Sequence, residues 1–325
     1  MKSRLLLVTL LVVSVLAACG KGESKPASSG DPTTSTTEAA EDTTDTTEAA
    51  DDTGGDTGGD AGDDATGGAA VSVTGTEYAY APDDGTDPAA LPAGDLTITL
   101  VNDGEEEHQL TIMKFREGFG MEDLGALGED PKRLGEMLET FGGPNAVAPG
   151  ASGAATSTLA AGDYLFACFI PDANGVPHAA SGMVLPVTVV GEGGAESTFE
   201  GDGDPLPMGE FTFGLGDADA PAEIAASEDV WFTNDGSQPH EAAIYTVAEG
   251  STNQDVVDFF SSPDTERAGG PPPIVPAGGV GAIDPGRFAR AALAHGDYVF
   301  ICFLPDAADG APHVVKGMLE FATVS

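Results

Sequence analysis

Two histidines, one cysteine and one methionine occur twice in this sequence, in the same order, and all four residue types can bind a metal ion. The chain has five histidines and three cysteines. Four of the histidines, two of the cysteines and two methionines recur in register between two halves of the chain. The recurring residues are His108, Cys168, His178 and Met183 in the first half, and His240, Cys302, His313 and Met318 in the second.

This donor set predicts a copper site in each half. Two imidazoles and one thiolate in a trigonal plane, with a weak axial thioether, form the blue-copper electron-transfer site. The loops read Cys-x9-His-x4-Met in the first half and Cys-x10-His-x4-Met in the second. A loop of this kind would bring the second histidine and the methionine around the metal next to the cysteine, and the first histidine would come from a neighbouring strand.

The repeat extends well beyond the candidate ligands. Residues 162–172 and 296–306 share the pattern Gly-Asp-Tyr-x-Phe-x-Cys-Phe-x-Pro-Asp. In both halves an asparagine, Asn102 or Asn234, stands six positions before the first histidine. Internal similarity on this scale indicates a duplicated domain. We place the two domains at residues 71–192 and 205–325.

The elements that would position these ligands are mainly strands. Residues 96–101 alternate apolar with polar side chains, and residues 164–169 and 298–303 are short aromatic and β-branched runs between Gly-Asp and Pro-Asp turns. Many short strands with glycine and proline turns favour an all-β sandwich or barrel. One short helical insertion is predicted in each half, at Pro131–Phe141 and at Asn253–Phe260.

In these motifs the chain resembles the cupredoxins, the type 1 copper proteins. The resemblance rests on the Gly-x-Tyr-x-Phe-x-Cys strand followed by a histidine and a methionine, and on the upstream strand that ends near a histidine. It covers about residues 71–190 and 208–325. It implies two tandem Greek-key β-sandwiches, each with one copper ion bound by the His, Cys, His and Met named above.

Two departures from the cupredoxin pattern are visible. The loop from cysteine to histidine is longer than in small single-domain carriers. Many cupredoxins have asparagine after the first histidine, where it ties down the ligand loop, but this chain has Gln109 and Glu241. The rigidity and the redox potential of the sites therefore do not follow from the resemblance.

The remaining histidine and methionines do not recur and are not predicted to bind a metal. A catalytic copper centre cannot be assembled from them. His295 aligns with an alanine, and Met113, Met121 and Met137 do not recur. Each domain has one cysteine, whereas a binuclear copper centre needs two, and the chain has no His-x-His motif of the kind that multicopper oxidases often use. It also has no Gly-x-Ser-x-Gly motif. We therefore predict that the protein is not an enzyme.

The N-terminus predicts export and a lipid anchor. Lys2 and Arg4 precede a short apolar run from Leu5 to Val15, and small residues lead to Cys19, as in a bacterial lipobox. We predict a lipoprotein signal peptide at residues 1–19, lipidation of Cys19, and an extracytoplasmic protein anchored to the bacterial cell membrane. Residues 20–70 are rich in Thr, Asp, Glu and Gly and predict a disordered tether.

The net charge limits the classes of binding partner, and the cysteine count allows one disulfide. A net charge of −42 opposes binding to nucleic acid and favours a basic protein partner or a metal cation. In an exported protein, Cys168 and Cys302 could instead form a disulfide. Three functions stay open: one-electron transfer, which we rank first, copper buffering or delivery without electron transfer, and a copper-free surface binding module.

Overall fold

The computed structural model describes residues 68–124, 135–194, 205–215, 222–225, 230–262 and 272–325. The predicted signal peptide, Cys19 and nearly all of the predicted tether lie outside these residues. Within the described ranges, no helix combines the length and the apolar character that crossing a membrane requires.

The described residues of the first half form nine strands, one short helix, α1 (Met121–Leu124), and a helical segment at residues 135–137. The strands are β1 (Ala69–Thr76), β2 (Ala79–Pro82), β3 (Leu91–Pro92), β4 (Gly94–Asn102), β5 (Thr111–Phe115), β6 (Leu138–Thr140), β7 (Ser152–Leu159), β8 (Gly162–Ala167) and β9 (Val184–Val190). A 3₁₀ turn covers His178–Ser181.

The described residues of the second half form eight strands and one helix, α2 (Asn253–Ser261). Its strands are β10 (Leu206–Met208), β11 (Ala222–Ile224), β12 (Val230–Asn234), β13 (His240–Val247), β14 (Ile274–Ile283), β15 (Phe288–Ala291), β16 (Gly296–Ile301) and β17 (Leu319–Val324). A 3₁₀ turn covers His313–Lys316.

The strands form three sheets, which confirms the predicted all-β class. The first half has a five-stranded sheet in the order β3-β9-β8-β5-β6, and the second half has one in the order β11-β17-β16-β13-β14. A seven-stranded sheet, β10-β12-β15-β7-β4-β1-β2, takes strands from both halves. Each half is therefore a β-sandwich made of its own five-stranded sheet and its share of the common sheet.

Alternation along the strands builds the two cores. In β4, Leu96, Ile98 and Leu100 have no exposed surface and pack in one cluster with Phe166 of β8. In the second half, Phe232 and Phe300 come from opposite sheets and share a second cluster. The cysteine that follows β8 or β16 belongs to the same cluster as the aromatic residues of its domain, so each candidate site lies at one end of a packed core.

One predicted helix is confirmed and the other is partly wrong. Asn253–Ser261 is helical and begins with a capping box, in which Thr252 and Asp255 bond reciprocally. In the first half, residues 135–137 are helical, but Leu138–Thr140 is strand β6, which pairs with β5. Residues 131–134 lie outside the described ranges. Cross-strand pairing of the buried Leu138 overrides the local helical signal there.

The two halves are joined by backbone pairing, which the repeat does not predict. Strand β15 pairs antiparallel with β7, with Ala289 opposite Ser157 and Ala291 opposite Ala155. The strand pairing inside each half makes Ala155 and Ala291 equivalent, because Ala155 lies opposite Ile98 and Ala291 opposite Val230. Two equivalent residues therefore pair with each other at this junction, as they do on the two-fold axis of a homodimer.

Candidate metal centres

The structure gathers six of the predicted ligands into two groups, one in each half. Site 1 contains His108, Cys168 and His178, and site 2 contains His240, Cys302 and His313. Within each group the possible ligand atoms all lie within 4.8 Å of one another. All six side chains are completely buried.

In site 1 the histidines turn their Nδ1 atoms towards each other. His108 Nδ1 lies 3.1 Å from His178 Nδ1, and Cys168 Sγ lies 3.5 Å from His178 Nδ1. The two rings meet nearly edge to face, with an interplanar angle of 69°. Two imidazole nitrogens and one sulfur therefore converge on one point.

Site 2 has the same arrangement. His240 Nδ1 lies 3.2 Å from His313 Nδ1, and Cys302 Sγ lies 3.2 Å from His313 Nδ1. The ring centroids are 4.8 Å apart. The duplicated sequence therefore brings the same donor atoms together in both halves, with the rings inclined at 53° in site 2 and at 69° in site 1.

The asparagine six positions before the first histidine shapes the loop that carries this ligand. Asn102 Nδ2 donates to the carbonyls of Glu106 and Val147, at 2.8 and 2.7 Å, and Asn102 Oδ1 accepts from the Gly104 amide. Asn234 makes the equivalent bonds in the second half. Because this side chain is buried and fully engaged, it fixes the turn between β4 or β12 and the first histidine.

Backbone hydrogen bonds close the loop after the cysteine. The Cys168 amide donates to the Met183 carbonyl at 3.2 Å, and the Met183 amide donates to the His178 carbonyl at 3.0 Å. The bonds from Cys302 to Met318 and from Met318 to His313 have the same lengths. Both methionines are completely buried. The extra residue in the second loop therefore does not change how cysteine, histidine and methionine are brought together.

The electrostatics of both groups suit a metal ion. Burial raises the pKa of the Cys168 thiol to about 12, and it raises the pKa of Cys302 well above its usual value, although backbone N–H groups act in the opposite direction. Burial lowers the pKa of all four histidines, to about 4 for His313. At neutral pH each group therefore holds two neutral imidazoles and one thiol, whose proton a soft cation would displace.

Glu241, which stands where many cupredoxins have asparagine, connects the ligand strands of site 2. Its Oε1 accepts from the Phe303 amide at 3.0 Å, next to Cys302, and its Oε2 accepts from Asn145 Nδ2 at 3.1 Å. Burial raises the pKa of Glu241 to about 7. Its counterpart Gln109 donates its backbone N–H to Cys168 Sγ at 3.5 Å.

The structure also adds residues around the histidines that sequence reasoning missed. Glu77, Tyr78 and Glu106 surround the histidine rings of site 1. Near site 2, Phe211 contacts the His313 ring, and Glu210 receives hydrogen bonds from Ser237 and Gln238. Glu77 and Tyr78, like Glu210 and Phe211, lie about thirty residues before the first histidine of their half, in segments that contain no ligand. Only their matching positions in the two repeats could have indicated them.

The predicted bystanders lie away from both groups. His295 is exposed, and Met113 and Met137 are buried in a separate apolar cluster. Cys168 and Cys302 are both free, so the alternative of a disulfide between them is not what the structure contains. Each cysteine instead lies against the histidines of its own half.

Solved structures with some similarity to this chain include auracyanins. A dithionite-reduced auracyanin from the photosynthetic bacterium Roseiflexus castenholzii is 23% identical, with 38% of this chain and 100% of that chain covered and a TM-score of 0.26. Auracyanin A from Chloroflexus aurantiacus, described as a "blue" copper protein, is 18% identical over 37% of this chain and 98% of its own, with a TM-score of 0.26.

A multicopper oxidase covers a larger part of the sequence. It is 14% identical over 79% of this chain and 88% of its own, with a TM-score of 0.20. No protein-family model and no curated protein matches the chain. The paired β-sandwiches and the two His/Cys/His groups, taken by themselves, fit a tandem cupredoxin.

Proposed function

We propose that this protein binds one copper ion in each domain, in a type 1-like centre, and that it transfers single electrons. The observation that carries the proposal is the convergence of two imidazole Nδ1 atoms and one thiol in each of two fully buried groups. The proposed ligands are His108, Cys168, His178 and Met183 in site 1, and His240, Cys302, His313 and Met318 in site 2. Copper bound there would supply reversible one-electron chemistry.

The residues of the chain contribute rigidity and exclusion of water. Each ligand belongs to a strand end or to a loop closed by backbone hydrogen bonds, so the donor atoms are held before any metal arrives. Complete burial keeps water out of the ligand sphere. A fixed, dry set of soft donors changes little between two oxidation states, which suits electron transfer better than it suits release of the metal.

The surface near the ligand loops supports a role in docking. Val176 in the first loop is 41% exposed, and Val315 in the second is 53% exposed. Each valine lies two residues from the second histidine of its site. We propose that a basic redox protein docks near these loops, because the chain carries a net charge of −42.

A carrier fits the inventory of metal ligands better than an oxidase does. Among the residues that the structure describes, sites 1 and 2 are the two clusters of His, Cys, Asp and Glu that could hold a metal ion. An oxidase would need a further copper cluster to reduce oxygen. We therefore propose a non-enzymatic carrier. We also propose that lipidated Cys19 anchors it on the outer side of the bacterial membrane.

The test is reversible redox cycling of the copper-loaded chain. We expect the oxidised protein to be bleached by one electron per copper, and to regain its colour on reoxidation with no copper lost to a chelator. If the reduced protein released its copper to the chelator within the cycle, copper delivery would replace electron transfer as the function. If the chain bound no stoichiometric copper, a copper-free binding module would remain.

A further inference from the structure

The two centres differ in the residues that contact the outer edge of the second histidine. In the register of the repeat, Tyr78 corresponds to Phe211, and Glu106 corresponds to Gln238. Site 1 therefore has a phenol and a carboxylate where site 2 has a plain phenyl ring and a neutral amide. The ligands are the same in both sites, so this difference concerns only their surroundings.

In site 1 the carboxylate of Glu106 lies directly beside a ligand. Its Oε2 is 3.0 Å from His178 Nε2, the ring nitrogen that faces away from the converging Nδ1 atoms. The Tyr78 hydroxyl donates to the same carboxylate at 3.3 Å, and the Tyr78 ring lies 4.8 Å from the His178 ring, centroid to centroid. Tyr78 therefore holds Glu106 against the histidine.

In site 2 the equivalent side chains make other contacts. Phe211 lies 5.1 Å from the His313 ring and has no hydroxyl group. Gln238 donates from Nε2 to Glu210 at 3.0 Å, and its Oε1 accepts from the Ala307 amide at 2.9 Å. Both ends of the amide are thus engaged elsewhere, and the position carries no charge.

The other charges near the two sites largely cancel in the comparison. Glu77 near His108 has a counterpart in Glu210. Glu107 near site 1 is balanced by Glu241 near site 2. The ammonium group of Lys316 lies 5.2 Å from the Phe211 ring centroid and also pairs with Asp306 and Asp309. Lys316 occupies the position of Ser181 in the first domain, but Asp309, with which it pairs, also has no acidic counterpart there, so these two charges offset each other.

We infer that Glu106, held by Tyr78, gives site 1 a lower reduction potential than site 2, so that a single electron on the chain resides at site 2. This inference rests on the proposed function. The negative charge of a carboxylate 3.0 Å from the outer nitrogen of a ligand favours Cu(II) over Cu(I). In the exchange, Cu(I) at site 1 loses one electron to become Cu(II), and Cu(II) at site 2 gains it to become Cu(I). No other reactant is needed.

The experiment measures the potential of each site separately. In the full chain, Cys302→Ser leaves site 1 as the coloured centre, and Cys168→Ser leaves site 2. Spectroelectrochemical titration of the two variants should give the lower potential for site 1. Equal potentials, or a lower potential for site 2, would overturn the inference while leaving the proposed function intact.

A reciprocal exchange of the two side chains provides matched controls. Glu106→Gln, in the Cys302→Ser background, should raise the potential of site 1. Gln238→Glu, in the Cys168→Ser background, should lower the potential of site 2 or leave it unchanged, because Phe211 offers no hydroxyl to hold the new carboxylate. Gln238→Glu combined with Phe211→Tyr should lower it clearly. For Glu106→Gln we expect the reduction equilibrium constant to change about threefold to tenfold, since the carboxylate is partly exposed and its charge is screened.

Tyr78→Phe separates the hydrogen bond to Glu106 from ring packing, because it keeps the ring and removes only the hydroxyl. We expect a smaller rise in the site 1 potential than Glu106→Gln produces. An unchanged potential in Glu106→Gln, with the thiolate-to-copper band intact, would contradict the role assigned to Glu106. Absence of that band from the unsubstituted chain would instead refute the proposed function, and the inference with it.

Discussion

Asn145 of the first domain donates a hydrogen bond from Nδ2 to Oε2 of Glu241 in the second domain, at 3.1 Å, and both residues are buried. The other carboxylate oxygen of Glu241 accepts from the amide next to Cys302. A residue of one domain thus supports the ligand strand of the other. The position of Asn145 corresponds to Gly281 in the second domain, so the support runs in one direction only.

Replacing Asn145 should therefore affect site 2 and spare site 1. In Asn145→Ala, the buried carboxylate of Glu241 loses one donor, which should cost about 1–3 kcal/mol of unfolding free energy. Denaturant unfolding of the copper-free chain measures the cost. The copper band should shift or weaken in the Cys168→Ser background and stay unchanged in the Cys302→Ser background. Asn253→Ala, at an exposed helix position, is the control and should change neither quantity.

The raised pKa of Glu241 predicts a pH-dependent difference between the native chain and Glu241→Gln. The folded-state pKa is about 7 and the ordinary value is 4.5, so the folded state binds a proton that the unfolded state has lost between these values. The stability that Glu241 contributes is therefore present below pH 4.5 and is lost as the pH rises through 7. Glutamine, the residue at the equivalent position 109, does not titrate.

The measurement is the unfolding free energy of both copper-free proteins at pH 5 and pH 8. The unfolding free energy of Glu241→Gln, relative to that of the native chain, should rise by about 2–3 kcal/mol between pH 5 and pH 8. A difference between the two proteins that is the same at both pH values does not affect this comparison. Parallel pH profiles would show that Glu241 does not titrate in this range.

Copper binding should release protons from the cysteines. Burial raises the pKa of Cys168 to about 12 and lowers that of the histidines, so at neutral pH the proton to be displaced is the one on the thiol. We expect about one proton per copper, and an apparent affinity that rises roughly tenfold per pH unit near neutrality. A pH-stat titration counts the protons. Release that vanishes at pH 7.5, while copper still binds, would mean that the thiol is not the displaced group.

Residues 141–144 of the first domain form β-bridges to β14 of the second, and this segment should tolerate very little added volume at Gly143. A Cβ atom there would lie 2.2 Å from the Leu110 carbonyl oxygen, and the backbone has a φ of +101°. Gly143→Ala should therefore destabilise the chain by about 3 kcal/mol or more, or prevent folding. Gly150→Ala, with a φ of +73° and no atom within 4 Å of the new Cβ, isolates the backbone cost, which should be about 1–2 kcal/mol. Equal losses in thermal unfolding would argue against this tight contact.

The repeat in the sequence anticipated much of this molecule. It separated the recurring histidines from His295, and it marked Asn102 and Asn234, which the structure shows fixing the ligand loops. These residues were predictable because the same residue types occur at matching positions in both repeats. The pattern of short strands likewise predicted the β-sandwiches, since alternation along a strand reflects one buried face.

Other features depend on contacts between segments that are distant in the sequence, and the sequence did not predict them. The pairing of β7 with β15 is made by backbone groups, which carry no residue-specific signal. Tyr78 meets Glu106 across 28 positions of sequence, and Asn145 meets Glu241 across 96. The helical signal over 131–141 gave way at Leu138 to pairing with β5, because a tertiary contact outweighs local propensity.

A Cu(II) titration of the chain, with the visible spectrum and the bound metal recorded together, tests the central claim most directly. We predict an intense blue thiolate-to-copper band that saturates near two equivalents, that falls by about half in Cys168→Ser and in Cys302→Ser, and that is absent from the double variant. A band that never forms, or one that survives in the double variant, would contradict the assignment of these two groups as type 1-like copper centres.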